Sequence, residues 1–238
     1  MNFKKIFLDI LFPVHCLGCK KPKVWLCSDC LNKIITIDYF ICPVCSRKSL
    51  RGEAHPECQR RSFLNGLIVA ADWNNELLKK TIYAFKYKFI QDLKEPLSKI
   101  LINKIKRSDN LFKPNLTQGY FDFLVAIPLF KKRQLWRGFN QAQLLTLKIS
   151  HEIKTPTLNK AVKRIKNTSP QVGKKQKKRM RDIQDAFKID AQIKNQIRAK
   201  NILLIDDVVT TGSTMQEVAR VLKEAGAGEV WGLALARG

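Results

Sequence analysis

Apolar residues in this chain fall into short continuous runs separated by longer amphipathic stretches, the pattern of buried strands alternating with helices. Leu67-Ile68-Val69-Ala70-Ala71, inside Phe63 to Trp73, reads as one strand. Phe123-Leu124-Val125-Ala126-Ile127 reads as a second, ended by Pro128, and Ile202-Leu203-Leu204-Ile205 as a third. Runs without polar alternation are what strands buried on both faces show. Leu77 to Ile105 is helical in pattern, a helix after Gln141 runs to about His151, and Met215, Val218, Ala219 and Leu222 space the apolar face of another over Met215 to Ala225. His151, at the far end of its helix, reads as a surface residue. Ser108 to Tyr120, with Pro114 and Gly119, and Lys131 to Gln141 read as loops. Phe3, Ile6, Phe7, Ile10 and Leu11 keep a helical period and predict a short helix docked on the segment that follows.

Composition bounds the class. The 238 residues suffice for one α/β domain of ordinary size plus a small module, and an apolar fraction of 45% supports a core for it. Forty-four basic against 20 acidic residues give a net charge of +24, which points to polyanionic partners, nucleic acid first, or else to a solvated lysine-rich surface. No run is long enough to span a membrane. Lys4 and Lys5 precede an apolar run resembling a signal peptide, but Asp9 interrupts it and no small-residue cleavage site follows. Leu17-Gly18-Cys19 mimics part of a lipoprotein signal, although Cys19 has a better use in a metal site. The chain reads as cytoplasmic.

Seven cysteines with regular spacing argue for metal in a reducing compartment rather than a disulfide scaffold. Cys16–Cys19, Cys27–Cys30 and Cys42–Cys45 each enclose two residues, as do His55 and Cys58. This spacing turns two ligands towards one ion, and two such pairs complete the tetrahedron that zinc prefers. In chain order the first site is Cys16, Cys19, Cys27 and Cys30, and the second Cys42, Cys45, His55 and Cys58. An interleaved pairing fits the spacing too. His55 reads either as the eighth ligand or as a surface residue beside Pro56. Such closed sites are structural and fold a segment too small to hold itself together. The division falls near residue 60, with a metal module over 1–60 and the α/β domain over 61–238.

The stretch from Ile202 to Thr214 carries the chemistry. Asp206 and Asp207 follow where the strand should end, and Val208-Val209-Thr210-Thr211-Gly212-Ser213-Thr214 leads into the next helix. The backbone N–H groups of such a turn and of the first helical turn point at a bound anion, and the helix dipole favours it. Thr210, Thr211, Ser213 and Thr214 supply hydroxyls for phosphate oxygens, and Gly212 lets the backbone approach closely. Asp206 and Asp207, read as facing solvent, are acceptors only. They suit a pair of vicinal sugar hydroxyls. A phosphate beside a diol is a ribose 5-phosphate. No Gly-Lys-Ser/Thr follows the strand, so this is not a P-loop.

These thirteen residues resemble the phosphoribosyl-pyrophosphate (PRPP) motif of type I phosphoribosyltransferases. The resemblance implies a central parallel sheet flanked by helices, a pyrophosphate loop upstream, and Mg²⁺ arriving with PRPP. Lys131, Lys132, Arg133, Arg137 and Gly138 lie between a strand end and a helix start, where α/β sheets bind ligands, and the resemblance makes this the pyrophosphate loop. Val125-Ala126-Ile127-Pro128, Arg137-Gly138-Phe139-Asn140-Gln141, Leu11-Phe12-Pro13, Lys86-Tyr87 and the terminal Ala236-Arg237 narrow it further. Together they resemble the ComF family, including GntX-type proteins, which joins a double zinc ribbon to a phosphoribosyltransferase-like domain. Arg164 to Gln171, Lys174 to Arg181 and Ala186-Phe187 continue the match, with Asp182 where the family pattern has Asn. Lys174, Lys175, Lys177, Lys178, Arg179 and Arg181 would form a mobile basic lid that excludes water, or a solvated helix face.

Two functions stand open. One is a phosphoribosyltransferase, with Asp206 and Asp207 on the ribose hydroxyls and an unidentified acceptor. Residue 2 is Asn2, so no N-terminal nucleophilic cysteine of the amidotransferase kind is present. The other is a protein that handles single-stranded DNA without turnover, since the family is associated with natural competence. That association implies DNA-uptake proteins as partners and a peripheral place at the inner face of the membrane. The interleaved Phe85-Lys86-Tyr87-Lys88 serves phosphates and stacked bases, or is a plain amphipathic face.

Overall fold

Alternate residues of each central strand enter two different cores, which explains why these runs are apolar throughout. The computed structural model describes residues 13–112, 115–167 and 183–238. Four parallel strands form the central sheet in the order β3-β8-β7-β4: β3 (Gly66–Ala71), β8 (Val230–Arg237), β7 (Ile202–Val209) and β4 (Phe123–Ala126). Ile68, Ala70, Leu203, Ile205, Leu233 and Leu235 face one core. There they meet Leu78, Ile82 and Phe85 of α3 (Glu76–Tyr87), Leu97 and Leu101 of α4 (Lys94–Ser108), and Leu145 and Ile149 of α6 (Gln141–Ile153). Leu67, Val69, Ile202, Leu204, Val230 and Ala234 face the other, against Met215, Val218, Ala219 and Leu222 of α7 (Ser213–Glu224). Gly232 is required beneath α7, because a Cβ there would lie 2.3 Å from the sulfur of Met215.

The cysteine segment closes the exposed edge of β3. Thr36 bridges Ala71 and Glu53 bridges Gly66, both antiparallel. The backbone N–H of Leu67 donates to Gly52 O (2.8 Å) and that of Asp72 to Ile35 O (2.9 Å). An edge that would otherwise offer unpaired groups is thereby covered. Within the segment lie α1 (Ser28–Asn32), the small hairpin of β1 (Phe40–Ile41) and β2 (Lys48–Ser49), and α2 (Pro56–Gln59).

The structure departs from the sequence pattern in five places. The helical stretch after Leu77 divides at Lys88–Ile90, where Phe89 adopts φ 56°, so α3 ends and α4 starts afresh. Lys131 to Arg137 is a short helix, α5 (Lys131–Arg137), ended by Gly138 at φ 76°. Its sequence has no broad apolar face, which hides it from a periodicity reading. β7 runs on through Asp206 to Val209, because β8 continues to pair with it as far as Arg237. Two elements carried no expectation: β8 itself, and the hairpin of β5 (Val162–Arg164) with β6 (Phe187–Ile189). His151 is exposed, as expected. The expected N-terminal helix, Pro114, and the stretch Thr168 to Asp182 with its basic run fall outside the described residues.

Candidate functional site

The carboxyl ends of β4, β7 and β8 meet at a cleft, and β7 delivers the acids to it. Asp207 is not solvent-facing: it is 5% exposed, and Nζ of Lys86 at the end of α3 lies 2.8 Å from its Oδ1. This corrects the reading of both acids as open to water. Burial opposes the charge on Lys86, but the Asp207 carboxylate outweighs it and holds the ammonium above the ordinary lysine range. Asp206 keeps some accessible surface and accepts the N–H of Asp207 at Oδ1 (2.8 Å). Burial, then the neighbouring Asp207 charge, push its carboxyl up to about 8, with Lys86 acting against them. The two acids therefore differ. Asp207 is anchored on a lysine, and Asp206 is the acceptor left open to a ligand.

The turn after β7 has the shape an anion requires. Gly212 caps α7 at φ 77°, a left-handed conformation that other residues rarely adopt. The Thr211 and Ser213 hydroxyls lie 2.9 Å apart, and the N–H of Ser213 reaches Thr211 Oγ1 at 3.4 Å. Thr210 is exposed, while Thr211, Ser213 and Thr214 are half-buried around the same helix start. A cavity of about 660 Å³ opens beside Thr210 and Thr211, bounded by Arg237, Trp73 and Tyr39.

Across β7 from that cavity lies a cluster of cations. Arg137 NH1 donates to Gln141 Oε1 at 2.6 Å, and its guanidinium stands 5.3 Å from the Tyr87 ring centre. Arg137 Nε and the Nε2 of Gln141 are buried without a hydrogen-bond partner among the described residues. Burial and the Arg137 charge depress Arg133, while burial and the Arg133 charge push Arg164 down to about 10, Asp206 pulling the other way. Guanidiniums crowded in this way favour an anion between them. Of the residues expected in a pyrophosphate loop, Arg133 and Arg137 turn inward, whereas Lys131, Lys132 and Gly138 are exposed. A second cavity of about 420 Å³ lies between α5, the start of α6 and β5, with Lys131, Lys163 and Arg164 on its walls.

Lys86, Arg164 and Gln141 were not singled out as site residues by sequence reasoning. Their signals were present, in the Lys86-Tyr87 pair and in the arginine and glutamine of neighbouring motifs. No spacing rule ties residues so far apart in the chain to Asp206.

The cysteines group in chain order. The ligand atoms of Cys16, Cys19, Cys27 and Cys30 lie within 4.8 Å of one another, as do those of Cys42, Cys45, His55 and Cys58. Sulfur separations of 3.7 Å for Cys16–Cys27 and 3.6 Å for Cys19–Cys27 match the edge of about 3.8 Å in a zinc tetrahedron with Zn–S of about 2.3 Å. His55 turns Nδ1 towards Cys45 Sγ (3.3 Å), and its Nε2 lies 2.9 Å from Lys48 O. The carbonyl thus holds the ring in the tautomer that frees Nδ1 for a metal. Both donor sets fit a structural zinc ion, and the interleaved pairing is not adopted.

The second cluster borders the turn from Thr210 to Thr214. Arg237 NH1, at the end of β8, lies 3.4 Å from the carbonyls of Cys42 and Pro43. A Cβ on Gly212 would stand 3.5 Å from Pro43 O.

Known proteins match at both ends of the chain. A phosphoribosyl transferase domain model matches residues 142–236, which include Asp206 to Thr214 but not α5, and a double zinc ribbon domain model matches residues 7–59. Competence protein F of Haemophilus influenzae is 32% identical over 227 residues, covering 94% of this chain and 96% of its own. Competence protein ComFC of Bacillus subtilis is 31% identical over 215 residues, covering 87% and 81%. DNA utilization protein YhgH of Escherichia coli K12 is 28% identical over 232 residues, covering 92% and 96%. Among the described residues no helix is long and apolar enough to cross a membrane.

Proposed function

The chain belongs to the competence protein F family, and from that membership we propose that it binds the ribose 5-phosphate group of PRPP in the service of DNA utilization. The carrying observation is the junction of β7 and α7, where a left-handed Gly212 caps α7 in a hydroxyl-lined turn that starts four residues after Asp206, an acid that keeps some accessible surface and interacts with Lys86 and Arg164. Thr210, Thr211, Gly212, Ser213 and Thr214 take the 5-phosphate. Asp206 accepts from the ribose hydroxyls, while Asp207 fixes Lys86 and with it the electrostatic floor of the cleft. Arg137, Arg133 and Arg164 take the pyrophosphate end, joined from solvent by Lys131 and Lys132 at the start of α5 and by the backbone of Gly138 at its end. Mg²⁺ arriving with PRPP would draw on oxygen ligands, of which Asp206 is the open carboxylate, and would neutralise charge on the phosphates. Should pentosyl transfer occur, Asp206 in its ionised form would stabilise positive charge developing on the ring, and the acceptor would enter from the cavity over β8 and β3, opposite the arginines. The metal module over 1–60 would then brace an enzyme over 61–238, working in the cytoplasm beside the DNA-uptake proteins.

Calorimetric titration tests this reading. PRPP with Mg²⁺ should bind more tightly than ribose 5-phosphate alone, because the arginine cluster adds to the phosphate turn. Absence of heat with both ligands, in protein carrying two zinc ions, refutes it. Pyrophosphate release on adding candidate acceptors separates a transferase from a binding protein.

A second reading rests on a different observation. Leu77 to Ile90 and Leu129 to Gln141 contain no acid, and Lys88, Lys131 and Lys132 of these stretches are exposed beside the cleft. In this reading the chain handles single-stranded DNA at the mouth of the pocket, with or without turnover.

A further inference from the structure

We propose that Tyr83, Tyr87, Trp136 and Phe89 form a base-stacking platform for single-stranded nucleic acid along the rim of the cleft. The proposal rests on the second reading above and names the surface it uses. These four rings are 57%, 46%, 61% and 42% exposed. They are not scattered. Tyr83 and Tyr87 lie 4.9 Å apart by ring centres, Tyr87 and Trp136 6.3 Å, and Trp136 and Phe89 5.3 Å, so one row crosses from α3 to α5. A row of this kind offers successive faces to unstacked bases, whatever their identity.

The backbone adds an independent sign. Phe89 stands in the left-handed region at φ 56°, where a bulky residue is rare, yet its ring packs into no core. Glycine would end α3 there more readily. The phenyl group is retained at a conformational cost and held in solvent beside Trp136.

The surrounding charge selects the occupant. Exposed Lys88 lies between Tyr87 and Phe89 in the chain, exposed Lys132 stands one helical turn before Trp136 on α5, Arg137 lies over Tyr87, and no acid occurs in either contributing stretch. Rings and arginine alone would suit a protein interface, but lysine is depleted there, and a patch that adds lysines and lacks acids favours a polyanion. Alternating rings and cations fit a strand whose bases stack while its phosphates remain in water near the ammonium groups. Duplex DNA keeps its bases stacked on each other and gains nothing from exposed rings. The row also adjoins the pocket: Lys86 turns inward to Asp207 while the next residue, Tyr87, turns outward.

The test uses the full zinc-loaded chain and a labelled oligothymidylate, with a duplex of equal length for comparison. Tyr83→Ala and Trp136→Ala should each weaken single-strand binding by about tenfold, and Trp136→Phe should restore most of the loss. The slope of log affinity against log salt should stay unchanged, since no cation is removed. Duplex binding should change little. Equal losses for single strand and duplex, or no loss for either, overturn the proposal. A change from dimer to monomer in Trp136→Ala also overturns it, by identifying the row as a self-association surface. Calorimetry with ribose 5-phosphate on the same variants keeps the readings apart: intact sugar-phosphate binding with lost strand binding supports the platform, and intact sugar-phosphate binding with unweakened strand binding overturns the platform alone.

Discussion

Lys86 Nζ and Asp207 Oδ1 stand 2.8 Å apart, linking the end of α3 to the acid-bearing end of β7 in a pair that has little contact with water. The pair explains how two adjacent carboxylates coexist in a cleft walled by protein. One is neutralised by the lysine, and the other, Asp206, faces the ligand space with its proton held more tightly than usual.

Lys86→Met should therefore harm the fold as well as the site. It leaves Asp207 buried and uncompensated, a loss of about 3 kcal/mol in denaturant unfolding. The double variant Lys86→Met with Asp207→Asn should recover most of that stability but not PRPP affinity. A double variant no more stable than the single one would show that the ion pair is not the source of the effect.

The Asp206 carboxyl gives the pH dependence a definite sign. Its folded-state pKa is raised from 3.8 to about 8, so its contribution to stability is fully present below the unfolded value and is lost progressively as the pH rises from there to about 8. Asp206→Asn removes that loss. The variant should match the parent near pH 4 and exceed it above pH 8 by several kcal/mol in urea unfolding. Its ribose 5-phosphate affinity should fall at every pH. A stability difference that stays flat from pH 5 to pH 9 contradicts the burial of this carboxyl.

Much of this was legible in the sequence because the informative residues are neighbours. Asp206 through Thr214 form a strand end, a turn and a helix start within one short stretch, and local chemistry sets each role. The cysteine spacings marked the ligand pairs for the same reason, but which two pairs share an ion depends on the tertiary arrangement, which brings them together in chain order. Lys86, Arg164 and Gln141 were not legible as a group, since tertiary packing alone brings them together. α5 escaped notice because its seven residues bury no side chain, so no apolar period marks them. β8 escaped because Gly232 and Ala234 dilute its apolar run. Those small residues are there to let Met215 and its helix sit close on the sheet.

Gly212→Ala isolates the phosphate turn. The added methyl would meet Pro43 O at an ordinary 3.5 Å, so the penalty comes from the left-handed backbone and should be about 1–2 kcal/mol. Ribose 5-phosphate binding should drop sharply as the turn relaxes, while zinc content stays constant. Binding equal to the parent in a folded variant would remove the turn from the site.

The second metal cluster should support that turn from outside. Cys42 and Pro43 accept from Arg237, and Pro43 O borders Gly212, so loosening this knuckle frees both the end of β8 and the phosphate turn. His55→Ala should lose one of two zinc equivalents by elemental analysis and weaken ribose 5-phosphate binding several-fold. Protease protection of the central sheet should persist, because its two cores do not depend on Pro43. Full loss of both ions, or unchanged sugar-phosphate binding with one ion lost, would sever the link between the knuckle and the turn.

Salt dependence distinguishes a DNA-handling surface from a merely solvated one. Each phosphate neutralised on a single strand releases counterions and contributes about −0.7 to the slope of log affinity against log salt. Lys131 and Lys132 are exposed at the start of α5, the helix that carries Trp136, and take no part in the ion pairs of the described residues. Replacing both with Ser should flatten the slope by about 1.4 and leave sugar-phosphate binding nearly intact. Arg133→Ser should affect both ligands, because that side chain turns towards the cleft. Competition then orders the two functions. If PRPP displaces oligothymidylate, strand and sugar phosphate share the arginine cluster; if both bind together, the strand lies on the rim and leaves the pocket open. A slope unchanged by the double lysine replacement would remove α5 from the contact surface and assign the charge of this face to solvent alone.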